Sequence, residues 1–102
     1  MGNLCYERIE MAHRMYYIIT YDIAQPKRLP KMLKLMRRYL NWVQNSVFEG
    51  YLTERQAMDL EKEIKGIIDK KEDSVIFYAL RNEEVFKRNV MGIEKNAITN
   101  FI

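Results

Sequence analysis

The pattern of apolar and polar positions predicts strands and helices that alternate along the chain. Residues Tyr16–Tyr21 are almost all β-branched or aromatic, which predicts a strand buried on both faces. From residue 27 to residue 41 the apolar positions recur with a helical period, and Pro26 suits the entry to such a helix. The predicted core stripe of this helix consists of Leu29, Leu33, Met36 and Leu40, with Met32 and Tyr39 on its flank.

The middle of the chain predicts a strand region followed by a second helix. Residues 43–52 read as two short strands or one bent strand, with Gly50 permitting a bend or bulge. Thr53 and Gln56 have the spacing of a capping box, which marks a helix start. The second helix then carries an apolar stripe that extends to Ile68, and the charged run Asp69–Asp73 ends it.

The last third predicts another strand and a less regular terminus. Ser74–Leu80 has the composition of a strand buried on both faces, and Arg81–Glu83 reads as a turn. Val85–Met91 is compatible with a further, more polar strand, and Ala97–Ile102 is a short apolar tail. Such a tail is too short to form a core itself, so we expect it to dock on another surface, such as a partner subunit.

The resulting order, βαββαβ, predicts an α+β fold of the ferredoxin-like plait type, with an extra C-terminal strand or tail. We place this domain at residues 15–102, and residues 1–14 form an N-terminal arm or extension without a clear strand period. With 102 residues the chain buries a modest share of its surface, so a homodimer would be a natural way to enlarge the core.

Composition excludes several classes of protein. No apolar run approaches the roughly 20 residues that a bilayer requires, so no membrane association is expected. Cys5 is the only cysteine, which excludes an intrachain disulfide and fits a cytoplasmic location. The chain has no Gly-rich phosphate loop, paired-cysteine motif or HExxH helix, and its one histidine, His13, lies in the arm. A histidine-based acid–base mechanism is therefore unsupported.

Asp22, which closes the first strand, is the main candidate for chemistry. A carboxylate after an apolar strand must reach solvent, a hydrogen bond or a cation. The residues alone leave a purely structural role open, in which Asp22 caps the loop before Pro26 or pairs with Lys27 or Arg28. One carboxylate holds Mg²⁺ poorly, because hard cations take several oxygen ligands. A two-fold dimer would bring a second Asp22 to a shared site on the axis.

The first helix carries a basic face. Lys27, Lys31, Lys34 and Arg38 are spaced four, three and four residues apart, which places them opposite the predicted apolar stripe. This face is either an ordinary solvated surface or a track for phosphates, and the net charge of +3 is compatible with both. Val47–Tyr51 does not match the signature strand of the RRM fold, which weakens an RRM interpretation.

Two segments together resemble a known family. Residues 17–23 (Tyr-Ile-Ile-Thr-Tyr-Asp-Ile), the basic helix, and residues 43–50 (Val-Gln-Asn-Ser-Val-Phe-Glu-Gly) are similar to the CRISPR-associated adaptation protein family Cas2. The resemblance runs from about Met15 to Leu80. It implies a homodimeric ferredoxin-like protein that bridges two dimers of the CRISPR integrase Cas1 and holds duplex DNA destined to become a spacer. Some members are metal-dependent endoribonucleases or deoxyribonucleases, so RNA is an alternative substrate.

The resemblance also implies roles for individual residues. Asp22 would be the catalytic residue and the ligand of a Mg²⁺ ion shared at the dimer axis, with Tyr21 beside it. Ser46 and Phe48 lie in the segment that flanks this site. The nucleic-acid surface would comprise Lys27, Arg28, Lys31, Lys34, Arg37 and Arg38. Two alternatives remain: a stand-alone Mg²⁺-dependent endoribonuclease of the VapD toxin type, and a plain ferredoxin-like interaction module.

Overall fold

The fold is built around an antiparallel four-stranded sheet. The computed structural model describes residues 14–85 and 87–96. Its sheet has the order β2-β3-β1-β4, in which β1 is central and pairs with both β3 and β4. The strands are β1 (Met15–Asp22), β2 (Asn41–Gln44), β3 (Val47–Leu52) and β4 (Ser74–Leu80). The predicted βαββαβ order and the ferredoxin-like plait are thereby confirmed.

Two helices cover one face of this sheet. A 3-10 turn at Pro26–Arg28 leads into α1 (Leu29–Tyr39), and α2 spans Glu54–Lys65. The capping box at the start of α2 is confirmed: the Gln56 amide donates to Thr53 Oγ1 at 3.1 Å, and the Thr53 amide donates to Gln56 Oε1 at 2.9 Å. The prediction that α2 extends to Ile68 was wrong, since the helix ends at Lys65 with Gly66 as its cap.

The hydrophobic core lies between the helices and the sheet. Its most buried large side chains are Phe48, Ile19, Met32, Met36, Leu52 and Leu60. Along β1, Ile19 and Tyr21 face this core, while Tyr16, Ile18 and Thr20 alternate onto the face that no helix covers, here called the open face. One face of β1 thus contributes to the core, and the other face forms part of the open face.

The core stripe of α1 differs from the predicted one. Its buried residues are Met32, Leu35 and Met36, whereas Leu29 is 37% exposed. Leu35 was absent from the predicted stripe but borders α2, so burial against a second helix rotates the stripe toward the basic side. The basic residues consequently flank the core instead of lying opposite to it.

The predicted double burial of Ser74–Leu80 was wrong within this chain. β4 is an edge strand, and Ile76 and Tyr78 on the open face are 46% and 52% exposed. The further strand predicted at Val85–Met91 is also absent: Val85 ends a 3-10 turn (Glu83–Val85), and residues 87–91 have no regular structure. Residues 1–13 of the predicted arm, which include Cys5 and His13, and the tail at 97–102 lie outside the described residues.

The region predicted as two short strands or one bent strand forms two strands, β2 and β3. The tight turn between them includes Asn45, whose φ is 44°, and a register shift places the bulge between Trp42 and Gln44 instead of at Gly50. Gly50 allows the side chain of Leu40 to approach the backbone closely, because a Cβ there would lie 3.1 Å from Leu40 Cδ2.

Across the described segments, no helix has the length and apolarity needed to span a membrane.

Candidate functional site

Asp22 lies exposed at the C-terminal end of β1. Its Cα partner across the sheet is Ser74 of β4, and strand alternation places it on the open-face side with Ile18 and Thr20. Within the described ranges its carboxylate forms no hydrogen bond or ion pair. The alternative in which Asp22 caps the loop before Pro26 or pairs with Lys27 or Arg28 is therefore not observed among the described residues.

A second carboxylate, that of Asp73, organises the loop that follows Asp22. Its Oδ1 accepts from the Ala24 amide at 2.8 Å and from Arg28 Nη2 at 3.0 Å. Its Oδ2 accepts from Arg28 Nε at 2.9 Å and from the Asp69 amide at 2.8 Å. The side chain of Asp73 is fully buried by these partners. One carboxylate thus joins the β1–α1 loop to the α2–β4 loop.

This arrangement accounts for Arg28. The guanidinium makes a two-pronged contact with Asp73 and a 2.7 Å contact with Glu72 Oε1, and its side chain is only 16% exposed. Hydrogen bonds from Arg28 and from two backbone amides lower the pKa of Asp73 to about 2, against the opposing effect of burial. The two acidic partners raise the pKa of Arg28. Arg28 is thus engaged within the chain, unlike the lysines predicted to contact nucleic acid.

Tyr21, Ser46 and Phe48 are brought together at the same end of the sheet. The Tyr21 amide donates to the Ser46 carbonyl at 3.1 Å, and the Tyr21 ring stacks over Phe48 with centroids 6.2 Å apart. Burial raises the pKa of Tyr21, while a side-chain hydrogen bond with Ser46 and the charge of Arg37 act in the opposite direction. Arg37 is exposed on α1, and it does not line the groove described next.

The remaining basic residues line a groove between the two helices. Lys31, Lys34 and Arg38 border an open groove of about 320 Å³ whose floor includes Leu35 and Ile67. We call this the basic groove. Lys31 and Lys34 are exposed and form no ion pair within the described residues, and the same is true of Lys27 before the start of α1. The groove offers point charges without an aromatic platform, a surface suited to phosphates more than to bases.

Arg38 differs from the lysines because it is paired. It donates to Glu63 Oε1 at 2.7 Å, while the Tyr39 hydroxyl donates to Glu63 Oε2 at 2.5 Å. These two hydrogen bonds lower the pKa of Glu63, and its carboxylate is the main cause of the raised pKa of Tyr39. The side chains of Arg38 and Glu63 are 57% and 40% exposed. Arg38 can therefore readily exchange Glu63 for another anionic partner.

One chain does not assemble a complete metal site from its described residues. No group of three or more histidine, cysteine, aspartate or glutamate side chains within those ranges is placed to hold an ion. Asp22 supplies a single free carboxylate, which matches the donor chemistry of Mg²⁺ but not the number of ligands it takes. A site there needs oxygens from a second molecule.

Comparison with known proteins identifies the family. The family model described as "CRISPR associated protein Cas2" matches residues 15–88. The chain belongs to the Cas2 family. Its match includes Asp22, the basic groove and the Ser46–Phe48 segment, and it ends just beyond the 3-10 turn that follows β4.

Individual Cas2 proteins agree with this assignment. A "CRISPR-associated endoribonuclease Cas2" of Dictyoglomus turgidum is 49% identical over 82 residues, covering 80% of this chain and 93% of the relative. "CRISPR-associated endoribonuclease Cas2 3" of Thermodesulfovibrio yellowstonii is 45% identical over 87 residues, covering 85% and 98%. A solved structure described as "Crystal structure of cas2" superposes with a TM-score of 0.74 at 39% identity, covering 80% of this chain and 91% of the other.

Proposed function

We propose that this Cas2 protein acts in CRISPR spacer acquisition, as a homodimeric scaffold that binds duplex DNA and serves the integrase Cas1. The observation that carries the proposal is the row of free cations along the start of α1 and the basic groove. Lys27, Lys31 and Lys34 are exposed and without an acidic partner among the described residues. Charges of this kind neutralise phosphates without reading sequence, which is what a scaffold for varied spacers requires.

The open face supports the homodimer. Ile76 and Tyr78 expose about half of their surface there, next to Ile18 of the central strand. An exposed apolar sheet face is a common site of association, and a two-fold copy would cover it with an identical surface. Because Asp22 closes the same face of β1, such a dimer would place the two copies of Asp22 on related sides of one interface.

We propose metal-dependent phosphodiester cleavage as the second capacity of this dimer, with two Asp22 carboxylates as ligands. When bound, Mg²⁺ would supply charge to polarise a phosphate and activate water. The chain itself contributes the anchoring of β1 next to that ligand: Tyr21 packs on Phe48 and donates its amide to the Ser46 carbonyl. These contacts fix the backbone from which the Asp22 side chain extends.

A stand-alone Mg²⁺-dependent endoribonuclease of the VapD type is the competing proposal. It is favoured by the word endoribonuclease in the names of the Dictyoglomus and Thermodesulfovibrio relatives. Both proposals use Asp22 and the dimer, but they differ in what the basic groove does. The scaffold requires the groove for duplex binding, whereas the ribonuclease requires Asp22 for its biological effect.

Two variants separate these proposals. Asp22→Ala should abolish Mg²⁺-dependent cleavage of RNA or DNA and leave duplex binding within about twofold, since the carboxylate lies outside the groove. Lys31→Glu combined with Lys34→Glu should weaken duplex binding at least tenfold and abolish spacer acquisition in cells. Lys70→Glu combined with Lys71→Glu, in the α2–β4 loop, makes the same charge change outside the groove and serves as the control.

The results of these variants distinguish the scaffold from the ribonuclease. Spacer acquisition that survives Asp22→Ala but not the groove variant supports the scaffold. Toxicity that depends on Asp22 and not on the basic groove supports the stand-alone ribonuclease. Duplex binding that is equally strong in low and high salt would contradict the phosphate contacts on which the scaffold rests.

A further inference from the structure

We infer that Arg38 and Tyr39 together bind one phosphate group at the edge of the basic groove, and that Glu63 occupies this position in the free protein. The Arg38 guanidinium and the Tyr39 hydroxyl are called the anion site here. The inference rests on the proposed duplex binding and adds a residue to it, because the sequence placed Tyr39 only on the flank of an apolar stripe.

Two consecutive side chains of α1 converge on one carboxylate of α2. Arg38 Nη2 donates to Glu63 Oε1 at 2.7 Å, and the Tyr39 hydroxyl donates to Glu63 Oε2 at 2.5 Å. Each oxygen of the carboxylate therefore has its own donor. A phosphodiester likewise offers two non-bridging oxygens on one atom, so the same pair of donors can hold it in place of the carboxylate.

The hydroxyl of Tyr39 is held in a fixed position relative to the guanidinium. The ring of Tyr39 is half-buried and packs against the core. On its other side, the Arg38 guanidinium lies over the ring, with 5.7 Å between Cζ and the ring centroid. An anion that binds here therefore meets donors that are already ordered, which reduces the entropy lost on binding.

The anion site opens onto the basic groove. Glu63 lines this groove together with Arg38 and the two lysines of α1, Lys31 and Lys34. Arg38 and Glu63 are both substantially exposed, so a phosphate can approach from solvent while the carboxylate turns into water. A duplex brings one phosphate to the anion site and others to the lysines at the same time, which a single carboxylate cannot do.

A comparison of four proteins tests whether Tyr39 contacts phosphate: the native chain, Glu63→Ala, Tyr39→Phe and the double variant. Glu63→Ala removes the competing carboxylate and should tighten binding of a labelled duplex about threefold. In that background Tyr39→Phe should weaken binding about threefold, because the hydroxyl then serves the phosphate alone. In the native background it should change binding by less than about 1.5-fold, since it weakens the hydrogen bonds to phosphate and to Glu63 alike.

Inorganic phosphate provides a second probe that needs no duplex. In Glu63→Ala, an NMR titration with phosphate should shift the side-chain signals of Arg38 and Tyr39, and adding Tyr39→Phe should raise the dissociation constant about threefold. Tyr17→Phe is the matched control, because it removes a tyrosine hydroxyl from β1, outside the groove. If Tyr39→Phe had no effect in the Glu63→Ala background, or the same effect in both backgrounds, the inference would be wrong.

The proposed function fails in a different way. Duplex binding that ignores charge reversal at Lys31 and Lys34 would contradict the scaffold, while the phosphate titration would still report on the anion site. Duplex binding that depends on the two lysines but not on Tyr39 in either background would leave the scaffold standing and overturn the anion site.

Discussion

Glu63 on α2 accepts a hydrogen bond of 2.7 Å from Arg38 on α1, so one acidic residue offsets a cation of the basic groove. Both side chains are substantially exposed, and a phosphate can replace the carboxylate as the partner of Arg38. Replacing Glu63 with Gln removes this competition. We expect Glu63→Gln to tighten duplex binding about threefold and to steepen the dependence of log K on log salt by about one.

Fluorescence anisotropy with a labelled duplex, measured across a range of salt concentrations, checks this expectation. Glu61→Gln is the matched control, because Glu61 pairs at 3.7 Å with Lys65 on the same helix and does not line the groove. If Glu63→Gln weakened duplex binding or left the salt dependence unaltered, Arg38 would not be a phosphate contact.

Elements defined by local sequence could be predicted, because their signals lie within a few residues of one another. The capping box of Thr53 and Gln56 and the strand predicted from the apolar run of β1 are examples, and the structure contains both. The predicted burial of β1 on both faces is incomplete, because Ile18 and Thr20 on the open face are only partly buried. The Arg28–Asp73 contact joins residues that are 45 positions apart, and no local pattern links them. The sequence signals this contact only through the charged run Asp69–Asp73 before β4, which we interpreted as the end of the second helix.

Burial was harder to predict than secondary structure. An apolar run predicts a strand but not which of its faces a helix covers, so Ile76 and Tyr78 read like the buried Ile19. The stripe of α1 shows the same limit, since Leu35 is buried by packing against α2 and Leu29 is left at the edge. Of the predicted basic surface, Lys31, Lys34 and Arg38 line one groove, whereas Arg28 is bound to Asp73. The acidic partners of the two arginines, Glu63 and Asp73, come from distant segments.

A charge on the open face tests the proposed dimer. Ile76→Glu places a carboxylate on the surface that a second copy would cover, where an unpaired buried charge is strongly unfavourable. We expect this variant to be a monomer at concentrations where the native protein is a dimer, by analytical ultracentrifugation. Met58→Glu, at a 62% exposed position on α2, should remain dimeric. A dimeric Ile76→Glu variant would show that the open face is not the interface.

Acid should weaken the fold through Asp73. Its pKa is lowered from 3.8 to about 2, so folding favours the ionised carboxylate. The resulting stabilisation is complete above about pH 4 and is lost as the pH falls toward 2. The difference in free energy of unfolding between the native protein and Asp73→Asn should therefore shrink over that interval, as measured by urea denaturation. A difference that stays constant between pH 5 and pH 2 would contradict the assigned cause.

The start of α2 depends on one hydroxyl. Thr53 Oγ1 accepts from the amide of Gln56 at 3.1 Å, and that amide would otherwise lack a partner in the helix. Thr53→Ala should lower the free energy of unfolding by about 1 kcal/mol, while Thr53→Ser, which keeps the hydroxyl, should stay close to the native value. Thermal and chemical denaturation of the three proteins provide the comparison. Equal losses in both variants would show that the methyl group matters and the cap does not.

The central position of β1 has a consequence for synthesis on the ribosome. Ile19 pairs with Phe48 on one side and with Phe77 on the other, so β1 is synthesised before both of its partner strands, β3 and β4. The β2–β3 hairpin can close early because its contacts are local, whereas β1 keeps an apolar edge unpaired until β4 emerges. Nascent chains stalled before residue 74 should therefore be the ones that chaperones bind most strongly.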